Sequence, residues 1–338
     1  MLKPEQRRQK QYTFLSPLSY CITNFVAEKE GMNKRSPFTL IHLKRLDELA
    51  MLYDLRPNEL PESLVKEWIK KHSYESNSTH KMRFWLIRQL GEYMRRCGYE
   101  AFVSTEKTTK ANNNKFTPYI LSDIEIKKIM CAADALQKTM KSPLKHIVIP
   151  MLFRVLFCCG LRLSEATHLK VGDVTIDSDT VILNLTKTKF DKERLLPLSP
   201  SLSASFKVYF ETIHRFSKPD MPVFPSNDGW CYSNSTIYEL FRRFLRESAI
   251  SHGGRGKGPR IHDIRHTFAV KCLKKWVLNG EDMLAVFPLL STYMGHVNLS
   301  STSVYLRLTA DLFPHIVSKT EERFGDIVPL LAEGVRNG

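Results

Sequence analysis

Near the end of the 338-residue chain, His296 is followed nine residues later by Tyr305. A phenol is a usable nucleophile, but its free pKa of ~10 means that it needs cationic neighbours or a base near neutral pH. Candidate neighbours stand upstream, in His262-Asp263-Ile264-Arg265 and in Gly160-Leu161-Arg162-Leu163-Ser164-Glu165. Two guanidiniums and two imidazoles suit a phosphodiester whose oxygens gain negative charge while a phenolate attacks it. Each residue also has an ordinary reading. Tyr305 alone reads as a core or surface aromatic, His296 as a packed histidine, and Arg162 as a helix-start residue paired with Glu165. His262 and Arg265 could form one polar helix face.

The elements that must position these groups can be traced from the pattern of apolar and capping residues. Residues 1–103 read as a small helical domain. Ser16-Pro17 and Ser36-Pro37 place serine as a cap and proline in the first turn of a helix. The first segment carries Leu18, Ile22 and Phe25, and the second carries Leu40, Leu43, Leu46 and Leu49 at helical spacing. Pro61–Lys71 is expected to bury Leu64, Val65, Trp68 and Ile69. Ser78–Cys97 sets Met82, Leu86, Leu90 and Met94 on one face and ends at Gly98. Arg83, Arg88, Arg95 and Arg96 fall off that stripe, as phosphate contacts or as solvated charges. Residues 104–115 are polar and without hydrophobic period, which predicts a linker.

A second domain is expected over residues 116–338, including a C-terminal tail. Ser122 and Glu125 match a capping box, and a buried helix from Leu144 to Cys159 stops at Gly160 in a left-handed terminus. Arg162 then opens a short helix, so a core element fixes its position. Val181–Leu185 and Arg194–Leu198 read as paired strands around a lysine-rich tip. Helices follow at 202–216, 235–247 and 262–278, and another stretch reaches Met294 before Gly295 turns the chain. The apolar groups of the tail, among them Val317, Phe324 and Leu330, would either seek a partner or fold back. The expected fold class is mainly α with a small β-sheet.

Composition narrows the function. The net charge of +15 fits a polyanionic partner or, equally, a soluble basic protein whose charges face solvent, and charge alone does not decide between them. The seven cysteines are odd in number and scattered, with no CxxC pair, as expected of small side chains in a reducing compartment. No apolar run approaches a membrane span, and the first residues lack a signal-peptide core. A cytoplasmic protein is therefore expected. His262 and His266 have the i, i+4 spacing of a zinc pair, but the glutamate after the first histidine and a third ligand are missing. Neither a phosphate-binding glycine loop nor a carboxylate cluster is evident, so no metal or cofactor is expected.

The motifs occur in a fixed order: G-L-R-x-S-E, a hairpin lysine before K-E-R-L-L-P-L, H-x-x-R-H-T-F-A, G-H, then tyrosine. In that order the chain resembles the tyrosine recombinases, or phage-type integrases, from about Phe116 to Asp311, and more weakly over its N-terminal helices. The wording around Tyr293-Met294-Gly295-His296 and Tyr305-Leu306-Arg307 looks most like recombinases of transposons and plasmids.

The resemblance implies a helical, SAM-like core-binding domain followed by an α+β catalytic domain. It implies strand cleavage and rejoining at specific DNA sites through a 3′-phosphotyrosine, without metal or ATP, for integration, excision or transposition of a mobile element. Tyr305 matches the nucleophile, Arg162 and Arg265 the phosphate clamp, and His262 the group that shares or orients proton transfer. His296 matches the second histidine, on the phosphate. Lys189 matches the general acid, with Lys187 as the alternative, and Glu165 a supporting acidic position. Partners implied are duplex DNA, a homo-oligomer, closed as a tetramer on two sites in the family's manner, and accessory DNA-bending or recombination proteins, in a bacterial cytoplasm or nucleoid. No arm-binding domain is evident before Thr13. A type IB topoisomerase and a non-enzymatic DNA-binding protein are the competing classes.

Overall fold

The computed structural model describes residues 12–32, 37–106, 117–185, 193–254, 258–295 and Tyr305. The chain divides into two compact units, Met1–Phe116 and Thr117–Gly338. Most of the predicted linker (107–115) lies outside the described residues, as do the hairpin tip (186–192), residues 296–304 and the tail after Tyr305.

Among the described residues, the first unit packs four helices, α1 (Ser19–Gly31), α2 (Pro37–Ala50), α3 (Glu62–Ile69) and α4 (Asn77–Arg96). Their apolar faces meet in a core that includes Leu18, Ile22, Phe25, Leu46, Leu64, Trp68, Leu90 and Met94. The first helix starts later than the Ser16-Pro17 signal suggests: it begins at Ser19 with Leu18 at its N-cap and no side-chain cap, and Ser16 closes the turn before it, its Oγ accepting the Leu18 N–H at 3.2 Å. Ser36 lies outside the described residues. For α4 the cap is Ser76, which accepts the Thr79 N–H, so the helix begins slightly before the predicted Ser78.

Two expectations for α4 do not hold. Met82 is half exposed rather than part of the buried stripe, while Arg83 is only 5% exposed. Arg83 is neither a phosphate contact nor a solvated charge. Its guanidinium donates to both carboxylate oxygens of Glu75 at 2.7 and 2.8 Å, to the Trp68 carbonyl at 2.8 Å and to the Lys70 carbonyl at 2.9 Å. It also lies over the Trp68 ring, 5.0 Å from its centroid. Of the other arginines of this helix, Arg88 is half-buried and bonds Glu92, while Arg95 and Arg96 are exposed and bond the Ala101 carbonyl and Glu28 of α1.

The second unit is mainly helical around a three-stranded antiparallel sheet. Its helices are α5 (Asp123–Asp134), α6 (Lys145–Cys159), α7 (Leu163–His168), α8 (Pro200–His214), α9 (Asn234–Glu247), α10 (Ile261–Leu278) and α11 (Met283–Met294). The strands β1 (Val174–Ile176), β2 (Val181–Leu185) and β3 (Arg194–Pro197) run in the order β1-β2-β3. In the register of β2 and β3, Leu183 faces Leu196 and Leu185 faces Arg194. The capping box at Ser122 forms in both directions. Helix α8 starts two residues earlier than its apolar pattern suggests because Pro200 fits the first turn. The nearly all-apolar α6 is the centre of the core, with Val148, Leu152, Phe153 and Leu156 buried against Phe206, Phe241, Phe244 and Ile264. This core holds the ends of α6 and α10, where the candidate site residues stand.

Candidate active site

Helix α6 ends at Gly160, which adopts the left-handed conformation (φ 58°) that an L side chain rarely takes. The space is closed as well, since a Cβ there would run into the Phe268 ring. The chain then passes through buried Leu161 to Arg162, which caps α7. Glu165, in the first turn of α7, accepts the Arg162 backbone N–H at 2.9 Å and its Nη1 at 2.6 Å. A helix cap thereby fixes the backbone and side chain of one arginine together.

Arg265 projects from the first turns of α10 and is 2% exposed. Its Nη1 donates to the Gly160 carbonyl at 2.7 Å, and its Nη2 donates to the Met294 carbonyl. Arg162 makes the matching bond, Nη2 to the Gly295 carbonyl at 3.0 Å. Gly295, also left-handed (φ 64°), follows the end of α11. Both guanidiniums therefore sit against the C-terminal ends of α6 and α11, where carbonyls lack helical partners and the helix dipole is negative. Carbonyls hold a cation without cancelling its charge.

Tyr305 is 2% exposed and packs with Ala269, Val270, Leu273, Leu290 and Met294 of α10 and α11. Burial pushes its phenol above the ordinary value, against the pull of Arg265 and then Arg162. The nucleophile candidate thus lies within electrostatic reach of both arginines. Burial foremost, and then the charge of Arg162, lower Arg265 to about 10, which leaves it protonated at neutral pH. His262 is exposed at the start of α10, yet the protein packed around it, followed by Arg265, holds it below the usual histidine range. Its ring meets that of His266 edge-on at 4.8 Å, and His266 lies 5.6 Å from the Tyr305 ring.

Four of the six residues singled out in the sequence, Arg162, His262, Arg265 and Tyr305, are accordingly brought to one place. Lys189 and His296 lie outside the described residues. Two participants were not assigned a part from sequence. His266, noted only for its zinc-like spacing, stands between His262 and Tyr305. Arg194, the first residue of β3, donates to both oxygens of Glu165, at 3.2 and 2.8 Å. Its only signal was its place in the K-E-R-L-L-P-L run after the lysine-rich tip. Among the described residues, no group of three histidine, cysteine or carboxylate side chains is placed to hold a metal ion. No helix among them is long and apolar enough to cross a membrane.

Residues 120–311 match the Phage integrase family. The protein y4rB of Sinorhizobium fredii is 28% identical over 279 residues, spanning 80% of this chain and 88% of its own. A tyrosine recombinase of Pseudothermotoga lettingae is 28% identical over 314 residues, spanning 87% of this chain and 96% of its own. Among solved structures, XerH site-specific recombinase in a post-cleavage complex with a palindromic difH substrate superposes with a TM-score of 0.61 at 17% identity, over 83% of this chain and 78% of its own. That likeness is one of fold. With a matched segment that covers more than half of its length, the chain belongs to the phage integrase family, the tyrosine recombinases, enzymes of site-specific DNA recombination.

Proposed function

We propose that this recombinase cuts and rejoins duplex DNA through a 3′-phosphotyrosine on Tyr305, in the service of a mobile element. The Tyr305 oxygen attacks the scissile phosphorus, the bond from phosphorus to the 5′-oxygen breaks, and a 5′-hydroxyl leaves. Attack by a second 5′-hydroxyl reverses the step on a new strand and frees the phenol. Ester energy is kept throughout, so neither a metal nor ATP is required. Arg162 and Arg265 offset the charge on the non-bridging oxygens. His262, held neutral near pH 7, takes or orients the phenol proton. From the family resemblance, His296 bonds the phosphate and Lys189, or else Lys187, protonates the leaving oxygen.

The observation that carries this reading is the packing of Tyr305 within electrostatic reach of two arginines, each held by a backbone carbonyl at a helix end. The first unit is assigned to DNA binding, as a core-binding domain over residues 1–103 joined by a linker at 104–115. The working assembly is a homo-tetramer on two sites, with accessory DNA-bending proteins, in a bacterial cytoplasm or nucleoid.

The test is a nicked duplex carrying the site that the protein selects from a random-sequence pool. Wild-type protein should become covalently attached to it, and Tyr305→Phe should bind without attachment. A Phe variant that still forms the adduct excludes Tyr305 as nucleophile. Relaxed circles without exchanged strands would move the protein to the topoisomerase class.

A further inference from the structure

Glu165 is where three guanidiniums meet. Arg162 takes one oxygen through Nη1 at 2.6 Å, Arg194 takes both at 3.2 and 2.8 Å, and Arg265 Nη1 stands 3.8 Å away. The carboxylate side chain is 4% exposed and that of Arg194 10%. Burial acts to raise the Glu165 carboxyl, but Arg194 foremost, and then Arg162, more than reverse it, so that Glu165 is ionised at neutral pH. Asp263, the other buried carboxylate of this region, is occupied with the Arg260 N–H at 2.8 Å and its guanidinium at 3.5 Å.

Three cations on one anion leave two positive charges in surplus, as many as the phosphate clamp uses. Without Arg194, Glu165 would be left with Arg162 alone at hydrogen-bond distance, through its backbone N–H at 2.9 Å and its Nη1 at 2.6 Å, and the natural outcome is a closed bidentate pair with that guanidinium. Such a pair would draw Arg162 away from the Gly295 carbonyl and cancel most of its field. Arg194 is also crowded against that turn, its Nη1 only 2.7 Å from where a Cβ on Gly295 would stand.

We propose that Arg194 is a positioning residue for cleavage: by sharing Glu165, it keeps Arg162 aimed at the phosphate and its charge only partly compensated. Arg194 itself does not touch the DNA. This inference rests on the assignment of Arg162 to the phosphate clamp.

The experiment compares two nicked duplexes of the selected site in single-turnover adduct formation. One carries the ordinary scissile phosphate. The other carries a methylphosphonate there, in which a methyl group replaces a non-bridging oxygen and removes the charge the clamp offsets. Arg194→Gln should slow attachment to the ordinary phosphate by about 100-fold, the scale of one lost oxyanion partner. On the methylphosphonate it should come within about threefold of wild type, because little charge is left to offset. Arg194→Lys, which keeps the charge but cannot span both oxygens, should fall between. If Arg194→Gln folds poorly, Arg194→Lys carries the same comparison. Equal slowing on both substrates would make Arg194 a structural residue and overturn the proposal, as would wild-type attachment to the ordinary phosphate. The underlying reading fails separately: Arg162→Ala at the wild-type rate on the ordinary phosphate, or an adduct from Tyr305→Phe, would sink it whatever Arg194 does.

Discussion

Each unit of this protein buries an arginine among backbone carbonyls, and the two differ in what balances the charge. In the first unit Arg83 faces one carboxylate, Glu75, which takes it in both oxygens, and Trp68 covers its face. Nothing is left over, and the arrangement joins the end of α3 to α4. In the second unit Arg162, Arg194 and Arg265 share Glu165, and carbonyls at two helix ends accept from Arg162 and Arg265. Burial alone would rank Arg83 and Arg265 as equals. The ratio of cations to anions separates a structural latch from a site prepared for an anion.

The largest expected effect tests that separation directly. Arg162→Ala and Arg265→Ala should each reduce single-turnover attachment to a nicked duplex by about 100- to 1000-fold. Arg83→Ala should leave attachment by the folded fraction unchanged. If Arg83→Ala slowed the chemistry at constant folded fraction, the contrast would break. Stability reverses the ranking. Glu75→Gln strands a buried guanidinium and should cost the first unit about 3 kcal/mol, read from its transition in urea.

Two glycines sharpen the comparison at a smaller scale. Gly98 (φ 83°) has open space where a Cβ would stand, while Gly295 (φ 64°) has the Arg194 guanidinium there. Gly98→Ala should cost about 1 kcal/mol from backbone strain and leave the chemistry alone. Gly295→Ala should carry the same strain and also slow attachment about tenfold, because the displaced arginine disturbs the clamp.

The smallest effects are in pH. His42 and His262 are both held below the ordinary 6.5, foremost by burial, with Arg45 and Arg83 adding at His42 and Arg265 at His262. A histidine whose folded pKa is depressed favours the neutral form, so stability rises with pH through the window just below 6.5 and is lost on acidification. His42→Gln should flatten that dependence in the first unit's melting temperature and leave the cleavage profile untouched. His262→Gln should instead flatten the fall in cleavage below pH 6.5.

Much of the second unit was legible because its signals are local. Gly160 announced a left-handed stop, Ser122 and Glu125 a capping box, and the apolar run of α6 a buried helix that delivers Arg162. What could not be read depends on distant partners. Arg83 and Met82 exchanged their expected places because Glu75, outside the helix pattern, offers a carboxylate that makes burial of Arg83 favourable. Strand β1 escaped notice since Val174–Ile176 is three residues long, mostly exposed, and exists only by pairing with β2. Arg194 looked like an ordinary strand residue. Its meaning appears only when β3 is laid beside α7, 29 positions away in sequence, where Glu165 waits.

The carbonyls of Gly160, Met294 and Gly295 have one further consequence. A side-chain acceptor disappears with a single substitution, whereas a peptide oxygen is supplied by whatever amino acid occupies the position. The grip on the two clamp arginines therefore survives any change that preserves the two turns. Neighbouring side chains are free to diverge toward new DNA sequences without loosening it, and its points of weakness are two positions that have no side chain at all.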